Sequence, residues 1–190
     1  VADYNVITDT NWSDLSPTPT LSDDVYVSRG AHLTIDEDAY CNRIRLGEES
    51  TGASPAGQRY GILTGDGNAH TVTFAGNATN TNSGLWMNPA SADSSSKGCK
   101  LQPDGLTFTN DGDALDSNKR WCLYLVYGYI DNSGGSWTIK NTYGYGILCR
   151  TSSTYVSVSE TNWGDLTFVN HRNAIAFQPF SQNAAIDVDP

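Results

Sequence analysis

Short stretches that alternate apolar, Thr, apolar recur along this chain, and each is followed by a turn residue. The clearest are Leu106-Thr107-Phe108-Thr109-Asn110, Trp137-Thr138-Ile139-Lys140-Asn141 and Leu166-Thr167-Phe168-Val169-Asn170. Looser copies are Leu33-Thr34-Ile35-Asp36 and Val72-Thr73-Phe74-Ala75, the second with its Asn displaced to position 77. Alternation with a period of two sends the apolar side chains to one face of a strand and Thr to the other, and a β-branched residue suits the pleat. Asn suits the turn that follows, because it tolerates left-handed backbone and bonds neighbouring backbone groups. The threonines stand at 34, 73, 107, 138 and 167, so the steps shorten from 39 to 29 residues. Such a period is expected of stacked repeats.

A second family of strands lies between the copies: Gly61-Ile62-Leu63, Gly84-Leu85-Trp86-Met87, Cys122-Leu123-Tyr124-Leu125-Val126, Gly146-Ile147-Leu148-Cys149 and Ala174-Ile175-Ala176-Phe177. Each repeat therefore supplies at least two sheet faces, which is how a solenoid coil is built. The expected fold is all-β, a short right-handed parallel β-solenoid forming one domain over 1–190. Residues 1–46 are expected to make a capping first coil and 47–190 the stacked coils. An antiparallel β-sandwich also has many short strands, but it gives no reason for a shared residue pattern at a near-constant period. Loops of unequal length should leave the coil, notably 88–97, rich in Ser, Ala and Asp.

Composition agrees with this picture. Four Glu and four Lys among 190 residues leave helices short of their preferred surface residues. A net charge of -10 repels phosphate backbones and anionic headgroups, so nucleic acid is not an expected partner. No apolar run approaches the length of a membrane-spanning helix. The sequence starts at Val1 without a basic or apolar leader, which suggests a processed chain or a fragment. Cys41, Cys99, Cys122 and Cys149 have no C-x-x-C pairing; they read as buried thiols or as disulfides of an oxidising compartment, with three connectivities open.

The opening segment, Asn11-Trp12-Ser13-Asp14, then Ser22-Asp23-Asp24-Val25-Tyr26-Val27, then Leu33-Thr34-Ile35-Asp36, resembles the entry to right-handed parallel β-helices of bacterial and phage surface proteins. The resemblance covers about the first 46 residues. It implies a cap over the end of the solenoid and an extracellular, cell-surface or virion-surface setting. It implies no activity, since this architecture carries enzymes, adhesins and spacers alike. The tetrapeptide returns as Asn162-Trp163-Gly164-Asp165, and each Trp reads first as a core anchor.

Candidate chemistry is sparse. Asp111, Asp113 and Asp116 place three carboxylates on one loop, the hard ligands Ca²⁺ requires, but the spacing departs from an EF-hand loop and an acidic solvated turn is the simpler reading. No G-x-S-x-G is present, His32, His70 and His171 have no recognisable nucleophile beside them, and Arg120, Arg150 and Arg172 lack acidic neighbours in register. No catalytic residue and no cofactor other than this weak Ca²⁺ candidate is expected. Tyr124, Tyr127, Tyr129, Tyr143 and Tyr145 crowd one region and could contact glycans or a protein partner, or be ordinary strand residues. Asn11 and Asn77 begin N-x-S/T triplets that matter only in a glycosylating host. The expected role is a non-enzymatic structural subunit of an extracellular filament or virion-surface assembly. Copies would associate into an oligomer or polymer through coil ends and extended termini, with residues 1–7 donating a strand to a neighbour. A polysaccharide-binding or polysaccharide-degrading β-helix is the alternative.

Overall fold

The computed structural model describes residues 1–47, 61–75, 83–87, 99–111, 121–125, 128–132, 135–140, 145–151, 163–169 and 173–179. In chain order the strands are β1 (Asp3–Val6), β2 (Thr10–Asn11), β3 (Asp24–Val27), β4 (His32–Ile35), β5 (Ala39–Cys41), β6 (Arg43–Leu46), β7 (Gly61–Gly65), β8 (Thr71–Phe74) and β9 (Gly84–Met87). They continue with β10 (Cys99–Gln102), β11 (Thr107–Asn110), β12 (Trp121–Leu125), β13 (Tyr129–Ile130), β14 (Ser136–Lys140), β15 (Tyr145–Thr151), β16 (Asp165–Val169) and β17 (Asn173–Pro179). A 3-10 turn, Trp12–Asp14, follows β2.

These strands form three sheets, and every strand pairing within them is parallel. Sheet A runs β1-β3-β6-β9-β12-β15-β17, sheet B β13-β10-β7-β4-β2, and sheet C β16-β14-β11-β8-β5. From β3 to β15 the chain visits A, B and C in turn and returns to A one layer further on. This is a parallel β-solenoid, and the antiparallel sandwich is excluded.

Period-two alternation fills the interior with one column per sheet. Sheet A contributes Val25, Ile44, Leu85, Leu123 and Ile147; sheet B contributes Leu33, Leu63, Leu101 and Ile130; sheet C contributes Ala39, Val72, Phe108 and Ile139. All of these are fully buried. Aromatic side chains reinforce the sheet C side: Phe74 stacks on Phe108 with centroids 6.3 Å apart, and Phe108 meets Trp137 edge-on at 6.1 Å. Such pairs add about 0.5–1.5 kcal/mol each beyond the area they bury.

Two parts of the expected repeat are corrected. Thr107, Thr138 and Thr167 are in register as read, but Thr73 pairs with Thr109, and Thr107 pairs with Thr71. The Leu33-Thr34-Ile35 copy belongs to sheet B, and the sheet C strand of its coil is the Ala39–Cys41 segment. Gly61-Ile62-Leu63 is likewise on sheet B, whereas the other four strands of the second family are on sheet A. Asn141, Asn170 and the 88–97 loop lie outside the described residues.

Candidate functional site

The end of the solenoid at β1, β2 and β5 is built by the opening motif. Trp12 is 0 % exposed and joins the main core, held there by the 3-10 turn. Asp36, one coil later, fixes that turn by accepting the Ser13 backbone N–H at 3.1 Å and the Ser13 hydroxyl at 2.6 Å. Burial pushes the Asp36 carboxyl up, but the Ser13 bonds outweigh it and hold the carboxyl below its ordinary range. Asp23 is a second clasp. It accepts the Thr20 hydroxyl at 2.7 Å, the Thr20 N–H at 3.0 Å and the Ala2 N–H at 2.7 Å. The Thr20 hydroxyl is the main cause of its lowered pKa, followed by the Ala2 N–H. The connection between the clasps carries Pro17 and Pro19, which have no N–H to offer an incoming strand.

Residues 3–6 of the N-terminal segment are already paired within the molecule, Asp3 to Val6 lying in register with Asp24 to Val27. They are not a strand held free for a neighbour, because β3 supplies the parallel edge they need. Asp24, buried at the start of β3, accepts Asn42 Nδ2 at 2.7 Å and Arg43 Nε at 2.8 Å, and Arg43 also forms an ion pair with it. Asp24 is thus tied to the next coil as a structural carboxylate.

Sheet A carries an outer ladder in register: Tyr26, Arg45, Trp86, Tyr124 and Leu148. The Arg45 guanidinium lies 5.5 Å from the Trp86 ring centroid, and Trp86 packs at 4.6 Å on Tyr124 and edge-on at 5.9 Å against Trp121. Tyr124 is only 4 % exposed and Leu148 2 %, so the one candidate Tyr whose side chain is described is packed into a small second core. Tyr129 and Tyr145 are placed in β13 and β15; Tyr127 and Tyr143 lie outside the described residues. The indole nitrogens of Trp86 and Trp121 are buried without a hydrogen-bond acceptor.

All four cysteines are free and buried, so the structure has the thiol reading and none of the three disulfide connectivities. Desolvation raises the Cys41 and Cys122 thiols strongly and pushes Cys149 up to about 12. Cys99 donates to the Leu46 carbonyl at 2.9 Å. Neutral, desolvated thiols are poor nucleophiles.

Asp111 is exposed; Asp113 and Asp116 lie outside the described residues, as do Arg120, His171 and Arg172. Among the described residues no group of three His, Cys, Asp or Glu is placed to hold a metal ion. On the corner between sheets B and C, Asp66 accepts the Asn68 N–H at 2.9 Å and Asn68 Nδ2 at 2.8 Å, bonds that lower its pKa. His70 Nε2 comes within 3.2 Å of Asp66 Oδ1, in ion-pair range but not aligned as a hydrogen bond. No described helix is long and apolar enough to cross a membrane.

The opposite end, at β13, β16 and β17, has a different finish. Among the described residues no strand pairs with the outer edges of these three. Phe168 is half-buried, and Val169 beside it is 38 % exposed. The repeated tetrapeptide differs here from its first copy: Trp163 is half-buried, accepts Trp137 Nε1 on its carbonyl at 2.8 Å, and is followed by Gly164 with φ +55°.

Comparisons of the chain with protein-family models, with curated proteins and with solved structures return no match.

Proposed function

We propose that this protein is a non-enzymatic structural subunit of an extracellular or virion-surface assembly, and that copies meet through the β13, β16 and β17 end of the solenoid. The observation that supports this is the unlikeness of the two ends. One is plugged by Trp12, clasped by Asp23 and Asp36, and lined by prolines. The other, like the first, leaves three parallel strand edges without a described partner, but it has no such plug or clasp among the described residues. Unpaired edges recruit further strands unless they are blunted, and among the described residues such devices are found at the β1, β2 and β5 end. Two such ends meeting about a two-fold axis give a closed pair, and longer assemblies add lateral contacts.

Light scattering coupled to size exclusion, with electron microscopy of the same fractions, tests this. The expected result is a concentration-dependent oligomer that Val169→Asp weakens. A strict monomer at high concentration removes the reading. A monomer that instead retains a polysaccharide on a glycan array would replace it with the glycan-binding alternative.

A further inference from the structure

The outer face of sheet C carries a threonine ladder that runs across the strands from β8 to β16. Thr71, Thr107, Thr138 and Thr167 occupy one column across four consecutive strands. Thr73 and Thr109 lie in a second column two residues along, which Tyr40 precedes and Lys140 and Val169 follow. The residues between the columns, Val72, Phe108 and Ile139, are fully buried, so the threonines lie on the outer side, where Thr109 is covered and only 7 % exposed. They recur about every 4.8 Å from strand to strand and about every 6.6 Å along a strand. Stacked side-chain ladders of this kind keep a sheet flat.

Thr20 and Thr64 each spend their hydroxyl on an acceptor in the protein. Thr71, Thr73, Thr107, Thr138 and Thr167 form no side-chain hydrogen bond among the described residues, and Thr109 alone of the six bonds a neighbouring carbonyl, at 3.4 Å. Five hydroxyls, each beside a methyl group, are therefore left to solvent on a narrow grid of four in one column and Thr73 in the next, Thr167 exposed and the other four half-buried, with Lys140 the only charge in the β8, β11 and β14 part of the two columns. Water bound to such a grid takes up its repeats, and these are close to the oxygen repeats on a prism face of hexagonal ice. The methyls leave water beside them free to bond only to other water.

We infer that the outer face of sheet C orders water and binds the surface of ice. The interaction needs no metal, cofactor or second copy, so it stands apart from self-association. The test is ice-affinity partition together with ice-recrystallisation inhibition by the intact protein. The expected result is enrichment in the ice fraction and small crystals after annealing. Thr107→Lys with Thr138→Lys should abolish both, while Thr34→Lys, an outward position on sheet B, should leave both unchanged. Circular dichroism checks that each variant is folded. If the double Lys variant does not fold, Thr107→Ser with Thr138→Ser, which keeps the hydroxyls and removes the methyls, should still lose activity. Exclusion of the intact protein from ice, or full activity in a folded sheet C variant, overturns the inference.

Discussion

Trp12 illustrates how single residues set the end of this fold. A fully buried indole at the first coil is expected to cost about 3–5 kcal/mol when truncated to Ala, and urea unfolding of Trp12→Ala measures it. The two clasping carboxylates give a pH signature of known sign. Asp23 and Asp36 have folded-state pKa values below their unfolded ones, so their stabilisation is complete above an unfolded value of about 4 and is lost as pH falls through the lower, folded value. Thermal melts should fall across that acid window, and Asp36→Asn should flatten part of the fall. The cysteines are predicted to resist a thiol reagent in the native protein and to react in denaturant. Rapid native labelling of Cys122 or Cys149 would contradict their burial.

At the scale of the element, what could be read from the sequence was the alternation, and its limit was the number of faces. Thr107, Thr138 and Thr167 were identified correctly because each has the same apolar neighbours and sits on the same sheet. Leu33-Thr34-Ile35 was assigned to their series because all three sheets point alternate residues at one shared core. A strand of sheet B then looks like a strand of sheet C when only its own letters are read. The carboxylate clasps were not legible, since Ser13 and Asp36 are brought together by stacking 23 residues apart. For Tyr124 the sequence leaves a contact residue and an ordinary strand residue open, and the packing of Trp86, Trp121 and Leu148 around it is not legible from its own neighbours. Corners depend on backbone more than on pattern. Gly105 turns between sheets B and C with φ +77°, and a Cβ there would lie 2.3 Å from the Asn68 carbonyl oxygen. Gly105→Ala should destabilise by about 1–3 kcal/mol, measured by denaturant midpoint, with the sheets otherwise intact.

For the whole molecule, stability in a solenoid is close to a sum over coils and the contacts between them. The ends should therefore open before the middle, and unequally. Native-state hydrogen exchange is expected to find the amides of β6, β9 and β12 slowest, those of β3 intermediate under the Trp12 plug, and those of β16 fastest. Equal protection of β3 and β16 would mean that the plug contributes nothing. The acidic balance belongs to this scale too. A charge of -10 keeps copies apart at low ionic strength, so any association through the open end should strengthen as salt is added.

The spacing between partners on sheet A varies widely while the register holds. Val25 to Ile44 takes 19 residues, Ile44 to Leu85 takes 41, and Leu123 to Ile147 takes 24. Whatever the length of chain between them, the paired strands keep the same register, so the interior does not record that length. A lineage built on this frame can lengthen, shorten or replace its outward segments without renegotiating a single core contact. Two descendants could then keep the same interior while their sequences fall out of step when aligned letter by letter.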